Sequence, residues 1–340
     1  MTMLPSSMPA HVEDVSLITV CVSDLCDISE IKNAIFPEFA PQNSPVIEIF
    51  IPGKNRFASL FFIHASKISA ELVEASDGFL LVLNGGIGLS PSEMNAWIYA
   101  TDNTVTRNVL AFNVHSSRAD FDEVTAIVER VLEPDVMVRY LPIDNDDEDK
   151  FIGIYDVLTG DIHDYSDDAL KIRHGDPEHM SLTSDKREVL FDELAHHGLD
   201  DANLEAHTAG MPLNIPALER IWMSPEIVSV IPVDDGIGKH ILNAWIEAVQ
   251  PRWLPSFTLD ESIASVSESS LRIGLCISDG ILRMWGTPDP EITFILRTQT
   301  GESDFSPEIE TVGLALASNA LPGDSVAPAG SAVDLFAPNF

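Results

Sequence analysis

Basic side chains are what this sequence most lacks: its 340 residues hold 19 Lys and Arg against 54 Asp and Glu, a formal charge of −35. Nucleic-acid affinity comes largely from Lys and Arg neutralising phosphates, so direct binding to RNA or DNA is not expected. Cysteine is scarce as well. Cys21, Cys26 and Cys276 make an odd count without paired spacing, which gives neither a disulfide framework nor a tetrahedral zinc set. So few thiols suit a reducing, cytoplasmic setting. No apolar run approaches the roughly 20 residues that span a bilayer. Residues 1–15 have neither the basic start nor the apolar centre of a signal peptide. Aromatic residues make up only 7%, yet 45% of the chain is hydrophobic, enough to exclude disorder of the chain as a whole. The expectation is a soluble, acidic, cytoplasmic protein with no membrane partner.

What is present is an alternation. "SLITVCV" (Ser16–Val22) reads as a strand, followed by the acidic turn "SDLCD" and a helix over Ile28–Phe36. "SPVIEIFIPGKN" is a strand and turn, and "RFASLFFIHA" (Arg56–Ala65) a further strand. Lys67–Ala75 has a helical pattern, with Ile68, Leu72 and Val73 on one face. Gly78–Asn84 is a fully apolar strand ending at "NGGIG"; "SPSEMNAWIYAT" then carries the Ser-Pro and offset Glu of a capped helix. The strand "NVLAFN" and the helix Asp120–Leu132 follow. Buried strands alternating with amphipathic helices mean a mostly parallel sheet covered on both faces, an α/β fold.

Near residue 134 the style changes. "VMVRYLPI" and "KFIGIYDVLTGDIHDY" are shorter alternating strands, followed by the helix "SDKREVLFDELAHHGL" and a short one at 216–223. "EIVSVIPVD" (Glu226–Asp234) and the helix Gly236–Val249 return to the first style. The predicted organisation is a flexible N-terminus (1–15), an α/β domain made of 16–133 and 224–256, and an α+β subdomain (134–223) inserted into it. A small β domain (257–318) follows, with strands in "LRIGLCIS", "ILRMWGT", "EITFILRT" and "TVGLALAS". The Ala-, Pro-, Gly- and Ser-rich 319–340 is expected as a flexible tail.

Several stretches in this order resemble the GTPase domain of elongation factor G. "EASDGFLLVLNGGIGLSPSEMNAW" is similar to that family's strand, turn and helix, and "LAFNVHSSRADFDEV" to its guanine-reading loop and the segment after it. "YLPI…FIGIYDVLTGDIHDY" resembles the strands opening the insertion peculiar to the family, and "VSVIPVDDGIGKHILNAWIEAVQPRWLPS" its final strand and helix. The likeness is collinear from about Leu17 to Ser256, and weaker around "TVGLALASNALPGDSV". It implies a P-loop-NTPase-like core with an inserted α+β subdomain, followed by part of a second, β-barrel domain.

Where the family handles nucleotide, this sequence departs from it. A phosphate loop needs Gly for close backbone approach, Lys on the phosphates and Ser or Thr on magnesium. The corresponding turn, Ser23–Ser29, has no Gly or Lys and places Asp24 and Asp27 where a polyanion would lie; only Ser29 could stand in as a magnesium ligand. The family's Asp-x-x-Gly is replaced within "FIHASK", where His64 stands as a remnant of the catalytic His or as a structural residue. The specificity loop, Asn-Lys-x-Asp in the family, reads Asn113-Val114-His115-Ser116, and Ser116 offers no charged bidentate acceptor for guanine. The base-covering loop aligns with "PVDDG" and adds Asp234 and Asp235. Four independent departures imply a pseudo-GTPase: no catalytic residue, no cofactor and no metal, with Asn113 retained to pin neighbouring loops.

Other clusters read as ordinary structure. "HGDPEH" (His174–His179) holds two His and two carboxylates, as a metal site does, but its Gly and Pro favour a solvated loop. "DNDDEDK" lacks the Gly and distal Glu of a calcium loop and reads as an acidic turn. His196 and His197 suit a helix C-terminus, and Trp97, Trp245 and Trp253 suit a core. The functional expectation is a binding or regulatory module whose partner is a protein with a basic surface, ribosomal by analogy with the family. Two alternatives stand beside it: a divergent GTPase that keeps GTP and magnesium, and a structural subunit of a larger assembly.

Overall fold

The computed structural model describes residues 15–251 apart from 40–45, 55, 69–71, 74–75, 104, 115–119, 146–149, 167–169 and 225. Beyond 251 it describes 273–278, 281–285, 294–298, 301–305, 308–311, 314–316 and 325–328. Ser116, Trp253 and the acidic turn at 146–149 lie outside the described residues, as does most of the segment expected to be helical over Lys67–Ala75.

Six strands form the core sheet: β1 (Val15–Val22), β2 (Val46–Ile51), β3 (Arg56–His64), β4 (Gly78–Asn84), β5 (Thr106–Phe112) and, after the insertion, β10 (Val230–Val233). Their order is β10-β5-β4-β1-β3-β2, parallel throughout except that β2 returns antiparallel along β3. β1 shows why the runs are continuously apolar. Ile18, Val20 and Val22 enter one hydrophobic cluster while Leu17 and Cys21 enter the cluster on the other face. A central parallel strand buries both faces, so alternation is lost.

Helices connect these strands: α1 (Ile28–Ile35), α2 (Pro91–Asp102), α3 (Phe121–Ile127, widening into a π-helical turn over Val128–Leu132) and, later, α8 (Lys239–Ala248). Each of the first three starts on a side-chain cap. Asp27 accepts from the Ser29 amide, Ser90 and Glu93 form a reciprocal capping box ahead of Pro91, and Asp120 accepts from the Glu123 amide. α8 starts instead at Gly238, at φ 81°, where a Cβ would collide with the Pro232 carbonyl. At the opposite edge of the sheet the Asp77 carboxylate accepts from the Leu17 amide at 2.7 Å and fastens β1 beside β4.

The insertion holds a four-stranded antiparallel sheet in the order β6-β7-β8-β9 (Tyr140–Asn145, Lys150–Asp156, Asp161–Asp164 and Lys171–His174). Four helices follow: α4 (Pro177–Leu182), α5 (Ser184–His196), α6 (Asp201–Thr208) and α7 (Ile215–Trp222). At its heart Arg139 is buried with both Asp156, at 2.7 and 2.9 Å, and Glu219, at 2.9 Å. "HGDPEH" is largely exposed to solvent, as its Gly and Pro imply, but it joins a strand end to a helix start and is not a loop throughout. His174 ends β9 with Nδ1 3.1 Å from Asp161, and Pro177 opens α4, the position where proline's fixed φ suits a helix.

Towards the C-terminus, β11 (Ile273–Ser278), β12 (Ile281–Trp285), β13 (Phe294–Thr298) and β16 (Leu314–Leu316) fall where the sequence places strands, and β14 (Gly301–Phe305) and β15 (Glu308–Thr311) are additional. The expected tail is corrected here: Ser325–Pro328 forms β17, which pairs with both β11 and β13. Together they make one antiparallel sheet in the order β14-β13-β17-β11-β12-β16-β15. No described helix is long and apolar enough to cross a membrane.

Candidate functional site

Ligands in open α/β sheets bind at the carboxyl ends of the strands, beside the point where strand order reverses. Here that edge is formed by the turns after β1, β3, β4, β5 and β10.

The turn after β1 is held by its own acidic residues. The Ser23 carbonyl accepts from the Cys26 amide at 3.0 Å, closing the turn, and from His64 Nδ1 at 3.2 Å. His64 is the last residue of β3, in register with Val22, so its ring serves as a prop for this turn. Asp24 Oδ1 accepts from the Ser66 hydroxyl at 2.6 Å and the Ser66 amide at 3.2 Å, tying the turn after β1 to the turn after β3. Asp27 Oδ1 accepts from the Ser29 amide at 2.7 Å. The carboxylate of Asp27 therefore sits on the first turn of α1, and the hydroxyl-bearing Ser29 lies directly behind it.

Asn84 joins three turns. Its Oδ1 accepts from the Gly86 amide at 2.9 Å and from Asn113 Nδ2 at 3.5 Å, and its Nδ2 donates to Cys26 Sγ at 3.7 Å. Asn113 takes a left-handed conformation, φ 55°, which Asn tolerates better than most residues. Sequence reasoning singled out Asn113 but missed Asn84. The available signal was positional: both follow apolar strands, and Asn84 precedes a Gly-Gly pair.

Asp234 lies in the turn after β10, where its amide donates to the Ile237 carbonyl at 3.3 Å; Asp235 follows at φ 45°. The Gly236 amide donates to the Ala34 carbonyl at 2.8 Å and anchors this turn to α1. Thus Asp24 and His64 meet at the turn after β1, Asn113 reaches the same turn through Asn84 and Cys26, and the turn that carries Asp234 is tied to α1 through Gly236.

The electrostatics of this edge are one-sided. Burial pushes the Cys21 thiol well up, with Glu93 and Asp24 adding to it. Burial also raises the Cys26 thiol, opposed by its hydrogen bond from Asn84 and reinforced by Glu93 and Glu30. Glu93 is fully buried and its carboxyl is raised by that burial, against the hydrogen bonds it shares with Ser90. Its Oε1 has no hydrogen-bond partner. Among the described residues no three His, Cys, Asp or Glu converge as a metal-holding group.

No family model matches the chain. Elongation factor G 2 of Shewanella frigidimarina (strain NCIMB 400) is 30% identical over 148 residues, 42% of this chain and 21% of that protein. Elongation factor G 2 of Vibrio cholerae serotype O1 is 28% identical over 149 residues, 43% of this chain and 20% of that protein. The matched stretch therefore spans about a fifth of those proteins' length (21% and 20%). A crystal structure from Thermus thermophilus shares the fold with a TM-score of 0.58 at 15% identity, covering 94% of this chain and 53% of that one. The chain is a relative of the translation-factor GTPases, similar in sequence to elongation factor G.

Proposed function

We propose that this relative has given up nucleotide chemistry: it is a pseudo-GTPase that works as a binding or regulatory module, its partner a protein with a basic surface. The observation that carries the reading is the Asp27 carboxylate on the Ser29 amide, 2.7 Å away. In folds of this kind phosphate is drawn to the first helix by free N-terminal amides and the helix dipole. Here a carboxylate of the chain's own takes that place, and Asp24 stands three residues before it on the same turn. Two unit charges about 4 Å apart repel by roughly 4 kcal/mol at an effective dielectric constant near 20. Ser23–Ser29 contains no Lys to offset this and no Gly to let phosphate approach the backbone. The residues present do not fit a magnesium nucleotide.

The net charge of −35 supports the choice of partner. Such a surface attracts basic proteins by long-range steering and repels nucleic acid. A ribosomal protein is the partner suggested by the likeness to elongation factor G. Titration calorimetry with GTP and GDP, each with magnesium, tests the first half: no saturable heat is expected, and micromolar affinity would establish a divergent GTPase instead. Sedimentation with purified ribosomes at near-physiological salt tests the second, and absence from the ribosomal fraction removes the ribosome as partner.

A further inference from the structure

Away from the nucleotide edge, a cleft of about 340 Å³ opens in the seam between the core and the insertion. One wall is α3 with its π-helical turn, the other is α5, and residues 136–138 form the floor. The floor is fixed to the core, because the Met137 amide donates to the Val228 carbonyl at 2.9 Å. Met137 and Leu190 are buried beneath the cleft, Val136 and Val138 are half-buried, and Val189 stands 63% exposed at its lip. An apolar trough is thus left uncovered between two charged helices.

The rim is charged and almost entirely of one sign. Asp122 and Glu129 come from the first wall, Asp185 and Glu193 from the second. The single cation on the rim, Lys186, lies 2.7 Å from Asp122, and this pair closes one end. Glu129 follows Asp122, and Glu193 follows Lys186, by seven residues, which is roughly 10 Å along a helix. The carboxylates therefore gather at two ends of an apolar trough rather than converging on one point. A hydrated divalent ion needs oxygen ligands on several sides, which this arrangement does not give. An anion is repelled. The volume lies within the range of small-molecule sites, a few hundred Å³.

We propose that this cleft binds a linear aliphatic polyamine, its methylene chain lying on Val136, Val138 and Val189 and its ammonium groups meeting the carboxylates at the two ends. Polyamines combine a flexible apolar stem with charged termini, the same pairing that lets lysine stems cover apolar surface while their heads stay in charged surroundings. The cleft shares no residue with the turns at the sheet edge, so this site stands whether or not nucleotide is bound there.

The test is calorimetry on the full chain with spermidine, at about 0.1 M salt so that diffuse counterion attraction is screened. Saturable binding is expected, with 1,8-diaminooctane comparable and the half-length putrescine about tenfold weaker because it reaches one end only. Glu129→Gln with Glu193→Gln should weaken spermidine at least about tenfold. Asp102→Asn with Glu178→Gln, which removes the same charge from exposed positions elsewhere, should change it less than about twofold. Equal losses in the two variants, or no saturable binding below about 1 mM, would overturn the proposal. Amide exchange gives an independent reading: spermidine should protect 122–129 and 185–193, and unchanged exchange there would also overturn it.

Discussion

His240 Nε2 lies 2.6 Å from His163 Nδ1, joining the last helix of the core to the inserted sheet. The Tyr165 hydroxyl meets the other nitrogen of His240 and accepts a hydrogen bond from the Gly238 backbone. Tyr165 therefore donates to His240 Nδ1, which leaves the proton of His240 on Nε2 for His163; this tautomer follows from the network. Both imidazoles are neutral in this arrangement. Burial lowers His240 to about 4, with His163 adding to the effect and Asp156 opposing it. Burial lowers His163 too, with Arg139 acting in the same direction against Asp156, Asp161 and Glu219.

A group whose folded pKa is depressed in this way contributes stability above its unfolded value, near 6.5 for His, and loses it as pH falls towards the folded value. The gap in melting temperature between the wild type and His240→Asn should be widest at about pH 7 and shrink by about pH 5, at roughly 2–4 °C per kcal/mol. Taking the difference cancels the general effect of neutralising a very acidic surface. A gap independent of pH would remove the network as a pH-sensitive joint.

The alternation of strand and helix was legible because β4 is a continuous apolar run, β1 and the second half of β5 are nearly so, and the Ser-Pro with its offset Glu announces the helix that starts at Pro91. β17 was not legible. "SVAP" has no alternation and contains Pro328, so its strand character comes from pairing with β11 and β13, which no local pattern records. At the site, Asp24 and Asp27 could be placed on the right turn from their position between strand and helix. The partners that define their roles could not: Ser66 lies 42 residues from Asp24, Asn84 58 from Cys26, and His163 77 from His240.

Arg139 lies over the rings of Tyr140 and Trp222, 4.8 and 5.3 Å from their centroids, and holds two carboxylates at once. Burial alone would raise the Asp156 carboxyl, but the bidentate Arg139 contact holds it below the usual carboxylate range. Arg139→Met strands that carboxylate in the interior and should cost about 3–5 kcal/mol in urea denaturation. Arg139→Met combined with Asp156→Leu should recover much of the loss. If the double variant is less stable than the single, the stranded charge is not the main cost, and the hydrogen bonds that Asp156 accepts from the Leu158 and Thr159 amides outweigh it.

Asn113 is held at φ 55° and donates to Asn84. If its role is to let β5 end in a left-handed residue beside Asn84, Asn113→Gly should be tolerated within about 0.5 kcal/mol. Asn113→Val should cost at least about 1–2 kcal/mol, since a β-branched side chain clashes with its own backbone in that conformation. Equal effects of the two substitutions in chemical denaturation would show that backbone conformation is not what Asn113 supplies.

Asp27 has two separable consequences, one for the helix and one for nucleotide. As the N-cap of α1 it satisfies an otherwise orphaned amide, so Asp27→Ala should destabilise the protein by about 1 kcal/mol in chemical denaturation. Removing the carboxylate alone should not create nucleotide binding, because Asp24 remains and Ser23–Ser29 holds no Lys. Counting back from Ser29 along the phosphate-loop signature places Asp27 at its second Gly and Ile28 at its Lys. Asp24→Ala, Asp27→Gly and Ile28→Lys together exchange repulsion for attraction at this turn, and calorimetry with GDP and magnesium should then register binding that the parent lacks. Micromolar GDP affinity in Asp27→Ala by itself would show that the other departures at this edge are tolerated, and that the cap carboxylate was the only barrier to nucleotide.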